Sequence, residues 1–331
     1  DRYRKAPQKN MNGIEIWQEF RPIRTIGIYV PGGTAPLVSS LLMQLIPATL
    51  AGCKNINICT PPQANGKIHP AILWAAKQIN PKVKIYKIGG AQAVAALAIG
   101  TKKIKKVDKI VGPGNAYVAT AKKKLFGLVG IDMIAGPSEI LIIADKKNNP
   151  EHIAIDLLSQ AEHDKLAQSI LITDDESFAK KVIQNIKILL NKIDRKDIAS
   201  ESWNNYGVVI ISKTIQSSIS LANQIAPEHL ELAIDNPKKY LKEIKNAGAI
   251  FLGKYTPEAI GDYVAGPNHV LPTDRTAKFS SGLSVLDFFK RTSIVSCNSQ
   301  NLKKIGKDAI ALANQEGLQA HALSIECRIK N

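Results

Sequence analysis

The sequence predicts an α/β protein made of two doubly wound parallel sheets with a small helical C-terminal appendage. Three observations carry this expectation. Short apolar runs alternate with helix-period segments along most of the chain. The joints between them are turns that carry Gly or Pro. The chain has 331 residues, 45% of them hydrophobic, which is enough for more than one buried core.

Taken in order, "RTIGIYV" leads into "PGGTAPLVSSLLMQL", "NINIC" passes through "TPP" to "HPAILWAAKQI", "VKIYKI" meets "GGAQAVAALAIG", and "VDKIV" meets "GPGNAYVATAKKKL". The alternation then resumes with "EILIIAD" before "PEHIAIDLLSQAEH", "SILIT" before "DDESFAKKVIQNIKILL", "YGVVII" before "TIQSSISLANQIA", and "GAIFLG" before "TPEAIGDYV". Strand, turn and helix in repetition produce parallel sheets with crossover helices, and so many strands divide into two Rossmann-like sheets with ligands at the carboxyl ends of strands. The tail after "SGLSVLDFFKR" is polar, then helical. The expected partition is residues 1–28 with 138–283 as a first Rossmann-like domain carrying the catalytic residues, 29–137 as a second one, and 284–331 as the appendage.

Composition narrows the function. The 44 Lys and Arg against 28 Asp and Glu leave a net charge of +16, which raises the question of a nucleic acid or an anionic membrane as partner. The excess is mostly Lys in short groups such as "TKKIKKVDK" and "AKKKLFG", without interleaved aromatics, and reads as solvated helix faces and loops. Aromatics make up only 5% of the residues, against a surface that stacks bases. A nucleic-acid-binding protein is therefore the weaker reading. The longest greasy stretch, "FGLVGIDMIAGPSEILIIAD", is broken by Asp132, Pro137 and Glu139 and is no membrane span. Cys53, Cys59, Cys297 and Cys327 form no CxxC pair, which suits inert thiols in a reducing compartment. No apolar signal core precedes the first strand, and a cytoplasmic location is expected.

The motifs are individually modest. Gly turns that open helices bind anions, because free N–H groups and the helix dipole face the ligand. "GPGNAY" at 112–117 approaches a dinucleotide fingerprint, but Tyr117 stands where a third Gly is wanted, so a tight strand-to-helix turn explains it equally well. "IAPEHLEL" sets Glu228 beside His229 directly after Pro227, a pattern that is also ordinary helix-start chemistry. Of six histidines, His163, His229, His269 and His321 sit in polar, turn-like or helix-end contexts, whereas His69 and His152 open helices and read as surface residues. Gln160 and His163 in "SQAEH" are three apart and share a helix face. Imidazole, carboxylate and amide oxygen together suit zinc or a related divalent ion better than a thiolate site does, although no compact metal motif is present.

Longer stretches resemble a known family. "GIYVPGGTAPLVSSLLM", "GGAQAVAALAIGT", "VDKIVGPGNAYVATAK", "IDMIAGPSEILIIAD", "DLLSQAEHD", "APEHLEL", "GDYVAGPNHVLPT", "SSGLSVLDFFKR" and "EGLQAHALSI" are similar, in this order, to the histidinol dehydrogenases, from about Arg21 to Arg328. The resemblance implies a homodimer with shared active sites that oxidises L-histidinol to L-histidine with two NAD and one zinc per subunit, through histidinal. It implies zinc ligands Gln160, His163 and Asp262, with His321 contributed to the neighbouring subunit. It makes Glu228 and His229 the catalytic pair. Ser138, His269 and Glu316 become substrate contacts alongside the zinc ligands and His229, and Tyr29, Gln92 and Asn115 become contacts to NAD. A dehydrogenase of another amino alcohol is the nearest alternative. The family usually carries roughly a hundred residues ahead of "RYRKAP", so a trimmed start is expected on grounds of domain size.

Overall fold

The computed structural model describes residues 9–11, 13–32 and 36–330. Two compact units result, Arg24–Asp287 and a smaller one formed by the strands before Arg24 and the elements from Phe288 onward.

The smaller unit begins with β1 (Lys9–Met11) and β2 (Ile14–Pro22). Within the larger unit the chain first forms β3 (Thr25–Tyr29), α1 (Val38–Ala51), β4 (Asn55–Thr60), α2 (Pro70–Ile79), β5 (Lys84–Lys87), α3 (Gly90–Ile99), β6 (Lys109–Val111), α4 (Ala116–Leu125) and β7 (Gly130–Ile131). It continues with β8 (Glu139–Ala144), α5 (Pro150–Ala161), β9 (Gln168–Thr173), α6 (Glu176–Leu189), α7 (Lys196–Tyr206), β10 (Val208–Ile211), α8 (Ile215–Ile225), β11 (His229–Ala233), β12 (Ala249–Leu252) and α9 (Glu258–Tyr263).

Two five-stranded parallel sheets follow, ordered β5-β4-β3-β6-β7 and β10-β9-β8-β11-β12. The winding is the same in both: the first strand of each half lies at the centre, the next two extend one edge and the last two the other. The two doubly wound sheets match the expected fold class.

The central strands are apolar on both faces because helices cover both. In β8, Ile140, Ile142 and Ala144 join the core beneath α5 and α6, while Leu141 and Ile143 join the core with Ile219 and Ala222 of α8. Side-chain caps fix several helix starts: Asn115, Asn149, Asp175 and Thr214 each accept an N–H from the first turn of α4, α5, α6 and α8. The halves are tied by the loops around them. The Asn268 amide donates to the Met43 carbonyl at 2.6 Å, and the Gly136 N–H donates to the Thr273 hydroxyl at 2.6 Å.

In the smaller unit β2 pairs antiparallel with β1 and with β13 (Phe289–Ser296), which is followed by α10 (Ser299–Gln315) and α11 (Gln319–Ile329). This alters the expected partition. Residues 14–22 leave the first Rossmann-like domain for the tail, β3 becomes the centre of the second domain's sheet, and the appendage is part sheet. The physical reason is pairing: β2 runs in register with β13 from Pro22 opposite Phe289 to Glu15 opposite Ser296.

Ile142 sits at the middle of β8 with no exposed surface. Ile142→Ala is expected to destabilise the protein by about 2–5 kcal/mol through lost transfer energy and a residual cavity. A lower midpoint with an unchanged slope in urea denaturation will show it.

Candidate active site

Glu228 and His229 stand at the amino end of a strand, not at a helix start. Residues 229–233 form β11 between β8 and β12, with His229 opposite Ile140 and Ala249. Pro227 costs no ladder bond there, since proline is tolerated at the entry to a strand. Leu230 and Leu232 point to the α8 side, so His229 and Glu231 share the other face with Ala233, towards α5.

Glu139, the first residue of β8, organises this end of the sheet. Its N–H donates to Glu228 Oε2 at 2.9 Å, and its own Oε2 accepts the Glu228 N–H at 3.3 Å. Its Oε1 accepts the Asp274 N–H at 2.9 Å. Its carbonyl lies 2.9 Å from His229 Nδ1. A carbonyl can only accept, so Nδ1 carries the proton and the Nε2 lone pair is left bare. Nε2 is buried without a hydrogen-bond partner, 3.5 Å from Glu258 Oε1.

Burial sets the charge states. It pushes His229 down to about 4 against the pull of its hydrogen bond to Glu139, so the imidazole is neutral at pH 7. Burial also raises Glu228 well above the usual carboxylate range, with the Glu139, Glu258 and Asp262 charges adding to it. Glu258 is pushed up to about 8 by burial and by the Asp262 carboxylate. Because the His229 imidazole is neutral at pH 7, its approaches to Glu228 and Glu258 at 3.6 and 3.5 Å are not ion pairs. Behind them Glu231 is raised by burial and by Asp156, and Asp156 rises to about 6 for the same first reason.

Two of the expected metal donors, His163 and Asp262, approach each other beside this cluster. Asp262 lies one turn after Glu258 on α9. His163 Nε2 is 3.9 Å from Asp262 Oδ2. His269 Nδ1 is 2.9 Å from the Asp262 carbonyl and so carries its proton there. α5 stops at Ala161, so His163 follows in a turn, its N–H bonded to the Gln160 carbonyl at 3.1 Å, and does not share a helix face with Gln160. Gln160 itself is buried with Oε1 unpartnered. The ligand atoms of His229, Glu258 and Asp262 lie within 4.8 Å of one another. These bare nitrogen and oxygen donors fit a divalent ion of the zinc type. Cys53 and Cys59 do not compete for it: both are buried in the first half, their thiols pushed up by burial to about 11 and 12.

Ser138 is half-buried immediately before β8, its carbonyl accepting from the Gln168 N–H at 2.9 Å. Glu316 and His321 lie in the smaller unit, at the end of α10 and in the first turn of α11, both exposed. In the first half Tyr29 ends β3, and its hydroxyl accepts the Gly90 N–H at 3.0 Å, two residues before Gln92 on α3. Asn115 caps α4 through the Val118 N–H. These three sit at the carboxyl ends of their sheet. Ser138, Glu228 and His229 sit at the amino ends of theirs, contrary to the general expectation for such folds, because the unpaired N–H groups at strand starts are what hold the carboxylates. The carboxyl ends of β8, β11 and β12 open instead on a cavity of about 500 Å³ lined by Asp145, Asn148, Asp235, Asn236 and Tyr255, which contains none of the expected site residues.

Sequence reasoning missed Glu139, Glu231, Glu258 and Asp156. A signal existed for two of them: Glu139 and Glu231 are acids inside otherwise apolar strands.

Fold and site together define a doubly wound α/β enzyme with a buried acid–base pair next to a divalent-metal donor set. The histidinol dehydrogenase family profile matches residues 2–329. The chain is 57% identical to histidinol dehydrogenase 1 of a Nostoc species over 318 residues, 96% of this chain and 73% of the relative. It is 54% identical to the Rhodospirillum rubrum histidinol dehydrogenase over 319 residues, with the same coverage of 96% and 73%. The crystal structure of the Elizabethkingia anophelis histidinol dehydrogenase superposes with a TM-score of 0.94 at 45% identity, covering 98% of this chain and 75% of that one. The chain belongs to the histidinol dehydrogenase family, oxidoreductases that oxidise histidinol in histidine biosynthesis.

A pH test follows from Glu258. Its carboxyl holds a proton in the folded state up to about 8 but releases it near its ordinary value when unfolded. The stability it contributes is therefore full at low pH and is lost as pH rises through that window, at up to about 1.4 kcal/mol per pH unit. In metal-free protein, Glu258→Gln removes this dependence, so its melting temperature relative to the parent should climb from pH 5 to 8. Parallel melting profiles would refute the assignment.

Proposed function

We propose that the protein is a zinc-dependent, NAD-linked dehydrogenase that takes L-histidinol through histidinal to L-histidine with two NAD, as a cytoplasmic homodimer with shared active sites. The observation that carries this reading is His229: a buried imidazole whose Nδ1 proton is donated to the Glu139 carbonyl, leaving a neutral, bare Nε2.

Oxidation of an alcohol needs a base for the hydroxyl proton as hydride leaves for the nicotinamide. His229 Nε2 takes that proton. The second oxidation needs water added to the aldehyde. Glu228, with Oε2 engaged by the Glu139 N–H, orients that water and, in its ionised form, accepts the water's proton.

Gln160, His163 and Asp262, with His321 of the partner subunit, would hold the zinc, which supplies a template that orients the imidazole and amine of the substrate. Ser138, His269 and Glu316 complete the substrate contacts. Tyr29, Gln92 and Asn115 face NAD at the carboxyl ends of the first sheet, where the N-terminus of α4 opens after a Gly turn.

NADH formation with L-histidinol and NAD tests the reading. Two NADH per histidinol are expected, abolished by chelation and restored by zinc. His229→Asn should lower kcat by about 10²–10⁴-fold, the usual contribution of a general base, while zinc content stays unchanged. A folded, zinc-loaded dimer that forms no NADH would overturn it.

A further inference from the structure

Lys122 belongs to the "AKKK" run that reads as a solvated helix face, yet only its neighbours Lys123 and Lys124 are exposed. Its side chain is 2% exposed and pairs with Asp132, whose side chain is 1% exposed. Both charges converge on one residue of the Gly turn. Lys122 Nζ donates to the Gly112 carbonyl at 2.8 Å, and Asp132 Oδ2 accepts the Gly112 N–H at 2.7 Å. Asp132 Oδ1 accepts from Lys122 and from the Met133 N–H.

We propose that the Lys122–Asp132 pair is a positioning clamp that fixes the Gly112–Asn115 turn in the conformation that receives the pyrophosphate of NAD. This rests on the reading that NAD occupies the carboxyl ends of the first sheet. A buried ion pair is seldom the most stable filling for its volume, so its presence here calls for a structural gain. The gain is geometric. Gly112 has φ +126°, and a Cβ there would lie 2.1 Å from the Tyr29 carbonyl oxygen and 2.7 Å from Gln44 Oε1. The turn is thus pressed onto the end of β3 in a conformation that only glycine adopts freely, with both of its peptide groups held by charge-assisted hydrogen bonds. Tyr29 in turn bonds Gly90 through its hydroxyl. Holding Gly112 therefore holds in mutual register the three segments that carry Tyr29, Gln92 and Asn115. Removing one partner alone would strand a buried charge, so the pair must be replaced together.

Two double variants test this. Lys122→Met with Asp132→Leu fills the volume without the clamp. Lys122→Met with Asp132→Asn keeps an oxygen for the Gly112 N–H. The first should bind NAD about tenfold or more weakly, the loss expected from unmade hydrogen bonds at a preorganised site, with the melting temperature and the KM for histidinol close to those of the parent. The second should recover part of the NAD affinity. Amide exchange of the parent with and without NAD separates the two ideas. No protection at residues 112–118 would mean that NAD does not sit on this turn, and the clamp proposal would fall with that reading. Protection in the parent, together with undiminished NAD affinity in the Met/Leu protein, would overturn the clamp alone, as would equal losses of NAD affinity, histidinol affinity and melting temperature.

Discussion

The exchange of hydrogen bonds between Glu139 and Glu228, across the amino ends of two adjacent parallel strands, is the constraint on which the site depends. Each carboxylate accepts the N–H of the other residue, so the entry points of β8 and β11 are locked at one register. That register puts His229 beside the Glu139 carbonyl and thereby selects its tautomer. A slip of one residue would turn His229 to the α8 face and leave two buried carboxylates without donors, a cost of several kcal/mol. The apolar bodies of the strands make this affordable: Ile140 to Ala144 and Leu230 to Ala233 are fully buried and hold the sheet rigid behind the polar ends.

Much of the fold was legible because its determinant is local. Apolar runs of four to six residues followed by capped, amphipathic helices specify crossover units, and neither sheet needed knowledge of distant partners to be anticipated. What failed was non-local. β2 is only partly buried, with no residue fully buried along it, and only pairing with β13, from the other end of the chain, decides which sheet it joins. Pro227 followed by an acid suits a helix start and a strand entry alike, and the neighbouring strands β8 and β12 settle which is formed. Lys122 was a missed opportunity: it lies four residues after Val118, itself fully buried, so the helix period placed it on the inner face despite its charge.

The site was legible as a set of residue types, not as a geometry. His163, Asp262 and His269 come from three separate segments, and nothing in their spacing announces that they meet. Glu258 was hidden differently, as one acid in a short helix start, where acids are ordinary. Its role emerges only because α9 turns it inward against His229, one turn before Asp262.

The electrostatics of the second half point the same way as its geometry. Glu139, Glu228, Glu231 and Glu258 are all raised, with burial as the first cause and neighbouring acids as a further one. None of the described ion pairs brings a Lys or Arg to this cluster, although the chain has an excess of both. Acids gathered in a sheet edge without a cationic side chain are held in a strained charge state. A divalent ion bound there would relieve it, since an opposite charge at close range favours the ionised carboxylates and deprotonated imidazoles that ligate it. The same absence of Lys and Arg leaves room for a substrate that itself carries an amine and an imidazole. The first half is built differently. Its α4 begins with no acid in the first turn, and its buried Lys122 is matched by Asp132, which leaves no net charge beneath the Gly turn. One winding, used twice, thus carries its polar groups at opposite ends of the strands.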